Sequence, residues 1–484
     1  MFTLRRSRFF LFLSLAALAT VVFIILDGCS ANGERKVGQT EKASFPVINE
    51  AYGIIQENAV YPVEGDMLIE GALRGMADVI GDPYSTYLSE EEAASHRESL
   101  AGEKVGIGAE ITRSGNKYII VAPVKGSPAE KAGLQPYDEI VRINGEALGG
   151  LSLQDVVKKI RGKEGTAVSM TIYRPDLGKH LELKVLREVM PVKTVQAELM
   201  EERGQKFGYI ALSMFGDESA KEWKKATDEL IVGGAEALLV DLRGNPGGYL
   251  RAVGEIAGSL LEDDTVFAYM QDPRGMLTPL VTGPSEEFQY DPKLKKMPIV
   301  ILQDKGSASA SEVLSGAMKD LRRGFIIGNM SFGKGTVQDT MELSNGGEMK
   351  LSTHKWLTPK EKWIHGKGVE ADLETEQNKL FTEHIRFSTE VYSVGDYHDD
   401  IAYAQRLLSG LGYTIDREDG YFDESTALAV HDFRVESQVE EDSIMDRKFF
   451  GALREKVEAY RNDRKNDKQL QVAVGYMHHL LSGD

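Results

Sequence analysis

Three short apolar runs, Ala237 to Val240, Met297 to Leu302 and Phe325 to Ile327, each stop at a polar, glycine-bearing turn. The turns read Asp241-Leu-Arg-Gly-Asn-Pro-Gly-Gly248, Gln303-Asp-Lys-Gly306 and Gly328-Asn-Met-Ser-Phe-Gly333. Runs this short, apolar throughout and bounded by turn residues, fit buried strands. Helical patterns lie between them, at Ala220 to Leu230 and at Val313, Leu314 and Met318. Strands alternating with helices predict a layered α/β sheet whose functional site lies at the strand ends.

The chain is long enough for several such units. It has 484 residues, 42% hydrophobic and 27% charged, which supplies apolar material for real cores. The net charge of −18 and the absence of any long Lys/Arg run exclude a nucleic-acid partner. Cys29 is the only cysteine, so an intramolecular disulfide, a zinc ribbon and a CxxC redox site are all excluded. Arg5, Arg6 and Arg8 precede an apolar run from Phe9 to Leu26, a pattern that keeps the N-terminus in the cytoplasm and sends the rest across a membrane. Residues 1–29 then form a signal anchor or signal peptide. Leu26-Asp27-Gly28-Cys29 resembles a lipid-attachment box. Anchor, lipoprotein signal and cleaved signal all place residues 30–484 outside the cytoplasm, membrane-anchored or secreted. Residues 30–43 read as a linker. Residues 44–100 read as helical, with apolar spacing at Val47, Tyr52, Ile54, Ile55 and again at Leu68, Ile69, Ala72, Leu73, Met76, Ile80. A small helical pair buries little alone, so it must dock on another domain or on a second subunit.

Residues 101–190 change character. Val105, Gly106, Ile107 and Gly108 form a glycine-spaced loop before a strand, and Asn144-Gly145 is a turn signal. Leu153 to Ile160 is helical, with Val156 and Ile160 on its apolar face. The stretch Gly126-Ser-Pro-Ala-Glu-Lys-Ala-Gly-Leu-Gln-Pro-Tyr-Asp-Glu-Ile-Val-Arg-Ile-Asn-Gly145 resembles PDZ modules of bacterial proteases. In such a module the Val105–Gly108 backbone approaches a terminal carboxylate, the strand edge takes the peptide as an extra strand, and Val156 and Ile160 read its last apolar side chain.

Residues 191–380 carry the chemistry. Ser309 lies in Gly306-Ser-Ala-Ser-Ala-Ser-Glu312, at a strand-to-helix corner that exposes a hydroxyl in front of a helix N-terminus. Gly328 to Lys334 nearly matches a phosphate-binding loop, but Gly335 stands where that loop needs Ser or Thr, and Thr336 to Leu343 is β-like rather than helical. These segments resemble the carboxy-terminal processing proteases, a Ser/Lys peptidase family. The resemblance spans Tyr52 to Asp372 and rests on five blocks in order: Gly81-Asp-Pro-Tyr-Ser-Thr-Tyr-Leu88, the PDZ stretch, Asp241–Gly248, Gly306–Glu312 and Gly333-Lys-Gly-Thr-Val-Gln338. It implies Ser309 as nucleophile, Lys334 as general base and Gln338 as the residue supporting the lysine.

A serine needs a base, and a lysine serves only when neutral, which burial favours. Gln338 can hydrogen-bond the amine without adding negative charge. Backbone N–H groups of Ala310 and of Gly247 or Gly248 are the candidate oxyanion donors, with Gly247 preferred. His354 and His365 could serve a Ser-His-Asp triad, but there is no Gly-x-Ser-x-Gly elbow, and no His-Glu-x-x-His for zinc; no metal or cofactor is expected.

Residues 390–460 resemble the three-helix peptidoglycan-binding domain through Phe433, with Arg434 where that family carries Gln. Wall binding and a helical dimerisation role both stay open. Residues 461–484 end in an apolar stretch, Leu470 to Leu481, suited to a partner helix. The expectation is an α/β and α+β multidomain chain, with a PDZ domain before a serine-protease core and helical N- and C-terminal regions. It would be a homodimeric, PDZ-gated endopeptidase acting on protein substrates at their C-termini, with Arg174 as gating residue. Relatives of this architecture act in sporulation signalling and periplasmic turnover. The rival reading is a catalytically silent PDZ scaffold at the cell wall.

Overall fold

The computed structural model describes residues 45–482 apart from 102, 115, 125–126, 192, 286 and 384–387. The expected anchor, lipid box and linker at residues 1–43 lie outside the described residues, as does Gly126. Among the described residues no helix is long and apolar enough to cross a membrane.

Among the described residues, those up to Met76 form one compact unit and those from Ala77 onward another. The first holds helix α1 (Pro46–Asn58), with proline in its first turn, and most of α2 (Gly65–Asp78). No residue of α1 is buried, and Val47, Ile54, Val60, Tyr61 and Met67 are exposed.

The second unit opens with β1 (Thr86–Leu88) and α3 (Glu90–Ala101). The PDZ fold follows: β2 (Glu103–Gly106), β3 (Ala109–Ser114), β4 (Lys117–Pro123), α4 (Pro128–Lys131), β5 (Glu139–Ile143), β6 (Glu146–Ala147), α5 (Leu153–Ile160), β7 (Ala167–Arg174), β8 (Lys179–Leu186) and β9 (Glu188–Pro191). Its main sheet runs β3-β4-β5-β7-β8, while β2 pairs only with β9. A reciprocal cap starts α5: the Asp155 N–H donates to Ser152 Oγ, and the Ser152 N–H donates to the Asp155 carboxylate, both at 3.1 Å.

The α/β core contains β10 (Val195–Glu202), β11 (Gln205–Leu212), α6 (Ser219–Val232), β12 (Ala237–Asp241), α7 (Leu250–Leu260), β13 (Val266–Gln271), β14 (Leu277–Val281), β15 (Ile299–Gln303), α8 (Ala310–Asp320), β16 (Phe325–Gly328), β17 (Thr336–Glu342), β18 (Glu348–Leu357), β19 (Leu373–Glu374) and α9 (Lys379–Thr382). Strands β11, β12, β15, β16 and β19 are parallel neighbours in that order, and β10 closes one edge antiparallel. A second, antiparallel sheet joins β1, β18, β13 and β14, with β17 paired to β18.

Both faces of the parallel sheet are covered, which is why its strands read as unbroken apolar runs. Leu238, Val240, Ile299 and Ile301 point to the layer of Trp223, Ile256, Val313 and Leu314. The alternate residues Ala237, Leu239, Val300 and Leu302 meet Leu470, Ala473, Val474 and Met477 of the C-terminal helix. The apolar tail is therefore a layer of its own chain's core, not the free partner helix that its sequence suggested.

Helices α10 (Asp399–Leu411), α11 (Glu424–Glu436) and α12 (Arg447–Asn462) build the small C-terminal bundle, and α13 (Lys468–Ser482) is the tail. Arg434 is fully buried there; it donates to the carbonyls of Glu440 at 2.8 Å and Ile444 at 3.2 Å and pairs with Asp446 at 2.8 Å. It thus organises the loop before α12.

Candidate active site

The carboxyl ends of β12, β15 and β16 converge, as expected for a parallel sheet. After β15 the chain turns sharply. Asp304 N–H donates to Ser307 Oγ at 3.0 Å, Ser307 Oγ donates to the Leu242 carbonyl at 2.8 Å, and Ala308 N–H donates to the Asn245 carbonyl at 2.9 Å. The turn delivers Ser309 at the head of α8 with φ of +55°, a left-handed value costly for a residue with a Cβ. Ser309 is half-buried, so its hydroxyl is reachable.

After β16 a second loop brings Lys334 to the same place. Glu312, in the first turn of α8 and fully buried, ties the two loops together. Its Oε1 accepts from Ser331 Oγ and the Gly333 N–H, both at 2.6 Å. Its Oε2 accepts from the N–H groups of Ser309 and Lys334, both at 2.8 Å. One carboxylate thus holds the backbones of both candidate catalytic residues. The Lys334 loop is pinned further by Trp356 Nε1, which donates to the Lys334 carbonyl at 2.8 Å, and Trp363 Nε1, which donates to the Gly335 carbonyl at 2.8 Å. A Cβ on Gly335 would lie 2.8 Å from both His365 N and Trp363 Nε1, so the position that breaks the phosphate-loop pattern has room only for glycine.

The electrostatics suit a neutral amine. Burial holds Lys334 below the usual lysine range; the charge of Lys350 adds to this, while Asp82 and Glu312 oppose it. Lys334 Nζ lies 5.0 Å from the Tyr84 ring centroid, and Lys350 Nζ sits 3.1 Å from His96 Nε2. Burial also lowers Lys350, and lowers His96 with help from Lys350, Lys334 and Arg97. Lys350→Met removes a cation that disfavours a second ammonium. If Lys334 is the general base that the family resemblance implies, the alkaline rise of kcat/KM should then move to higher pH. An unmoved pH profile would show that Lys350 does not act on Lys334.

The remaining expected residues fall as follows. Gln338 Nε2 donates to Thr336 Oγ1 at 2.9 Å and Ser352 Oγ at 3.0 Å, and no hydrogen bond among the described residues joins it to Lys334. It acts on the strand pair β17–β18, whose Ser352 N–H donates to Ser85 Oγ at 3.0 Å; Ser85 in turn donates to Asp82 at 2.5 Å. Among the oxyanion candidates, the Gly247 N–H is occupied by Asn245 Oδ1 at 2.9 Å. Among the described residues no acceptor is hydrogen-bonded to the Ala310 or Gly248 amide, so in this geometry Gly248 is the freer of the two glycines. Gly247 still packs on the Ser309 turn: a Cβ on it would lie 2.7 Å from Ser309 Cβ. His365 Nδ1 accepts the Gly335 N–H at 3.3 Å, its ring stacks on Trp363, and His354 Nδ1 lies 2.9 Å from Thr353 Oγ1, so neither is aimed at Ser309 as a triad base.

In the PDZ domain, Val105 and Gly106 lie on β2, Ile107 is buried, and Gly108 has φ of +71° with its carbonyl accepting from Ser127 Oγ at 2.9 Å. Val156 and Ile160 are only 0% and 3% exposed, inside the PDZ core rather than on a groove surface. A cavity of about 730 Å³ opens beside them, lined by Ser95, His96, Val105, Lys158 and Arg161. Arg174 pairs with buried Asp138 at 2.7 Å and donates to the Gly133 carbonyl at 2.7 Å, both within the PDZ fold.

A serine on a strained strand-to-helix turn and a half-buried lysine thus have their backbones held by one carboxylate, and comparison with known proteins places the chain in a class of peptidase. The peptidase family S41 model matches residues 206–375, a PDZ domain 119–174, the N-terminal domain of the activating protease CtpB 26–92, and a peptidoglycan binding domain 397–453. The carboxy-terminal processing protease CtpB of Bacillus subtilis is 39% identical over 88% of this chain and 88% of its own, and CtpA of the same organism 31% over 96% and 97%. A solved photosystem II D1 C-terminal processing protease is 26% identical, with a TM-score of 0.43 over 68% of this chain and 92% of that one. The chain belongs to the carboxy-terminal processing proteases of peptidase family S41. It is a serine-type endopeptidase, which sets aside the reading as a silent scaffold.

Glu312, Asn245 and Lys350 escaped the sequence reading as site residues, and His365, weighed there only as a triad base, instead accepts the Gly335 N–H. The Ser309–Glu312 spacing is a capping-box signal, but nothing local to it reveals the donors that arrive from the Lys334 loop.

Proposed function

We propose that Ser309 Oγ attacks the scissile carbonyl carbon while its proton passes to neutral Lys334 Nζ. The new C–O bond forms a tetrahedral intermediate whose oxyanion meets the N–H groups of Ala310 and Gly248, with Gly247 backing the turn. Lys334 then gives the proton to the leaving amine, the C–N bond breaks, and water, activated by the same lysine, releases the acyl group. The observation that carries this reading is the Glu312 carboxylate shared by the Ser309 and Lys334 amides. Gln338 holds the strand pair under the lysine.

Substrates enter by their C-termini through the PDZ domain, which gates the site. Two features support gating. Ser309 and Lys334 are not hydrogen-bonded to each other among the described residues. And α3 lines the cavity beside β2 and α5 while its His96 touches Lys350, so a peptide seated there can bias the base. Arg174 remains a candidate for transmitting occupancy. The enzyme acts outside the cytoplasm, tethered or secreted through residues 1–29, in regulatory processing of the sporulation-signalling type. The exposed apolar side chains of α1 suit a second copy of this chain, and the C-terminal bundle suits peptidoglycan or that same copy.

The test compares an unfolded protein ending in an apolar residue with the same protein ending in a carboxamide. The free carboxylate should raise kcat/KM by roughly tenfold or more, because a buried terminal carboxylate needs its backbone donors. Equal rates would reject capture through the C-terminus.

A further inference from the structure

The loop that backs the nucleophile is held from an unexpected direction. Arg243 begins it, at the end of β12, with its side chain 16% exposed between two carboxylates. Its Nε donates to Asp241 Oδ1 at 2.9 Å, and its Nη2 to Asp241 Oδ2 at 2.6 Å. On the other side, Nη1 and Nη2 donate to Asp467 Oδ1 and Oδ2 at 2.9 and 2.8 Å, a bidentate pair with a residue 224 positions away. Asp467 is 9% exposed on its side chain and also caps α13, accepting from the Leu470 N–H at 3.0 Å. Gln377 Nε2 donates to it at 2.6 Å. Next along the helix, Gln469 accepts from Arg243 at 3.3 Å and donates to Asn329 Oδ1 at 3.1 Å and the Thr375 carbonyl at 2.7 Å. The start of α13 therefore grips the ends of β12, β16 and β19 together.

The residues after Arg243 reach the nucleophile directly. Gly244 N–H donates to Asp304 Oδ1 at 2.8 Å. Asn245 accepts at its carbonyl from Ala308 N–H and Ser311 Oγ, each at 2.9 Å, and its Oδ1 takes the Gly247 N–H at 2.9 Å. A shift of Arg243 is thus passed through two residues to the Ser309 turn and to the glycine pair.

We propose that Asp467 is a positioning residue: the C-terminal helix, through the Asp467–Arg243 pair, sets the place of the Gly247-Gly248 backbone against Ser309. This rests on the catalytic reading above. It assigns the tail a role in catalysis that a covering helix alone would not have. Small misplacements of a catalytic backbone cost up to about 100-fold in rate.

The experiment uses the full-length protein and a chromogenic peptide, at a temperature where every variant is folded by near-ultraviolet circular dichroism. Asp467→Asn, and separately Arg243→Lys, should lower kcat by roughly 10- to 100-fold with KM within about twofold, and Asp467→Glu should recover part of the loss. Val474→Ala, which loosens the same helix without touching the pair, should lower the melting temperature and leave kcat as it is. If Asp467→Asn lowers only the melting temperature, as Val474→Ala does, the positioning role is overturned. If Asp467→Asn does not fold, a parent-like kcat in Arg243→Lys overturns it equally. Ser309→Ala separates the two levels. Full turnover in that variant rejects the catalytic reading itself, whereas a dead Ser309→Ala beside a parent-like Asp467→Asn rejects only this inference.

Discussion

Ser309→Ala lowers kcat by roughly 10⁴-fold or more, and Lys334→Ala does the same, with the double variant no worse than either. In the proposed mechanism the three act alike because nucleophile and base form one unit: without the proton acceptor the hydroxyl is unreactive, and without the hydroxyl the acceptor has nothing to activate. The pH dependence follows from the lysine. A protonated Lys334 cannot accept a proton, so kcat/KM of the parent is low in acid and rises to a plateau as the amine loses its proton. Burial and Lys350 hold that transition below the ordinary lysine range, against the pull of Asp82 and Glu312. Steady-state kinetics across pH on the parent and the three variants check this. A Lys334→Ala protein retaining a tenth of parental kcat would remove lysine from the mechanism.

The second large effect belongs to Glu312. Its two oxygens accept four hydrogen bonds in a fully buried place, two of them from the backbones of Ser309 and Lys334. Glu312→Gln replaces one oxygen with an NH2 group, which must face two donors. Each buried donor left without an acceptor costs about 1–3 kcal/mol, so a loss of about 2–6 kcal/mol is expected for the two, together with at least about a 100-fold fall in kcat as the two loops part. Chemical denaturation gives the first quantity and turnover under folding conditions the second. Parental values of both would mean that the shared carboxylate does not hold the site together.

The candidate dyad was readable in the chain because its surroundings are local. A glycine-rich turn after an apolar run is needed to expose a hydroxyl before a helix, and Gly335 has space for no side chain. The partners of those residues were not readable. Glu312 looks like an ordinary capping acid until the Lys334 loop arrives. Gln338 has the right spacing to serve the lysine, but the pairing of β17 with β18 turns its amide to Ser352. Val156 and Ile160 were recognisable as one apolar face of a helix; whether that face meets a core or a ligand groove depends on where β3 and β4 lie.

The tail illustrates the same division. Helical apolar spacing from Leu470 to Met477 specifies that one side of α13 must be covered, because exposed apolar area is unfavourable in water. It cannot specify by what, since hydrophobic burial has no direction. The order of domains, the strands and their turns, and the serine and lysine segments were thus written in the chain itself, in periodicity and in short motifs that depend on neighbours a few residues away. The sheet face under α13, the meeting of Asp467 with Arg243, and the convergence of four donors on Glu312 were decided by tertiary structure alone, because each joins side chains through contacts between strands and helices far apart in sequence.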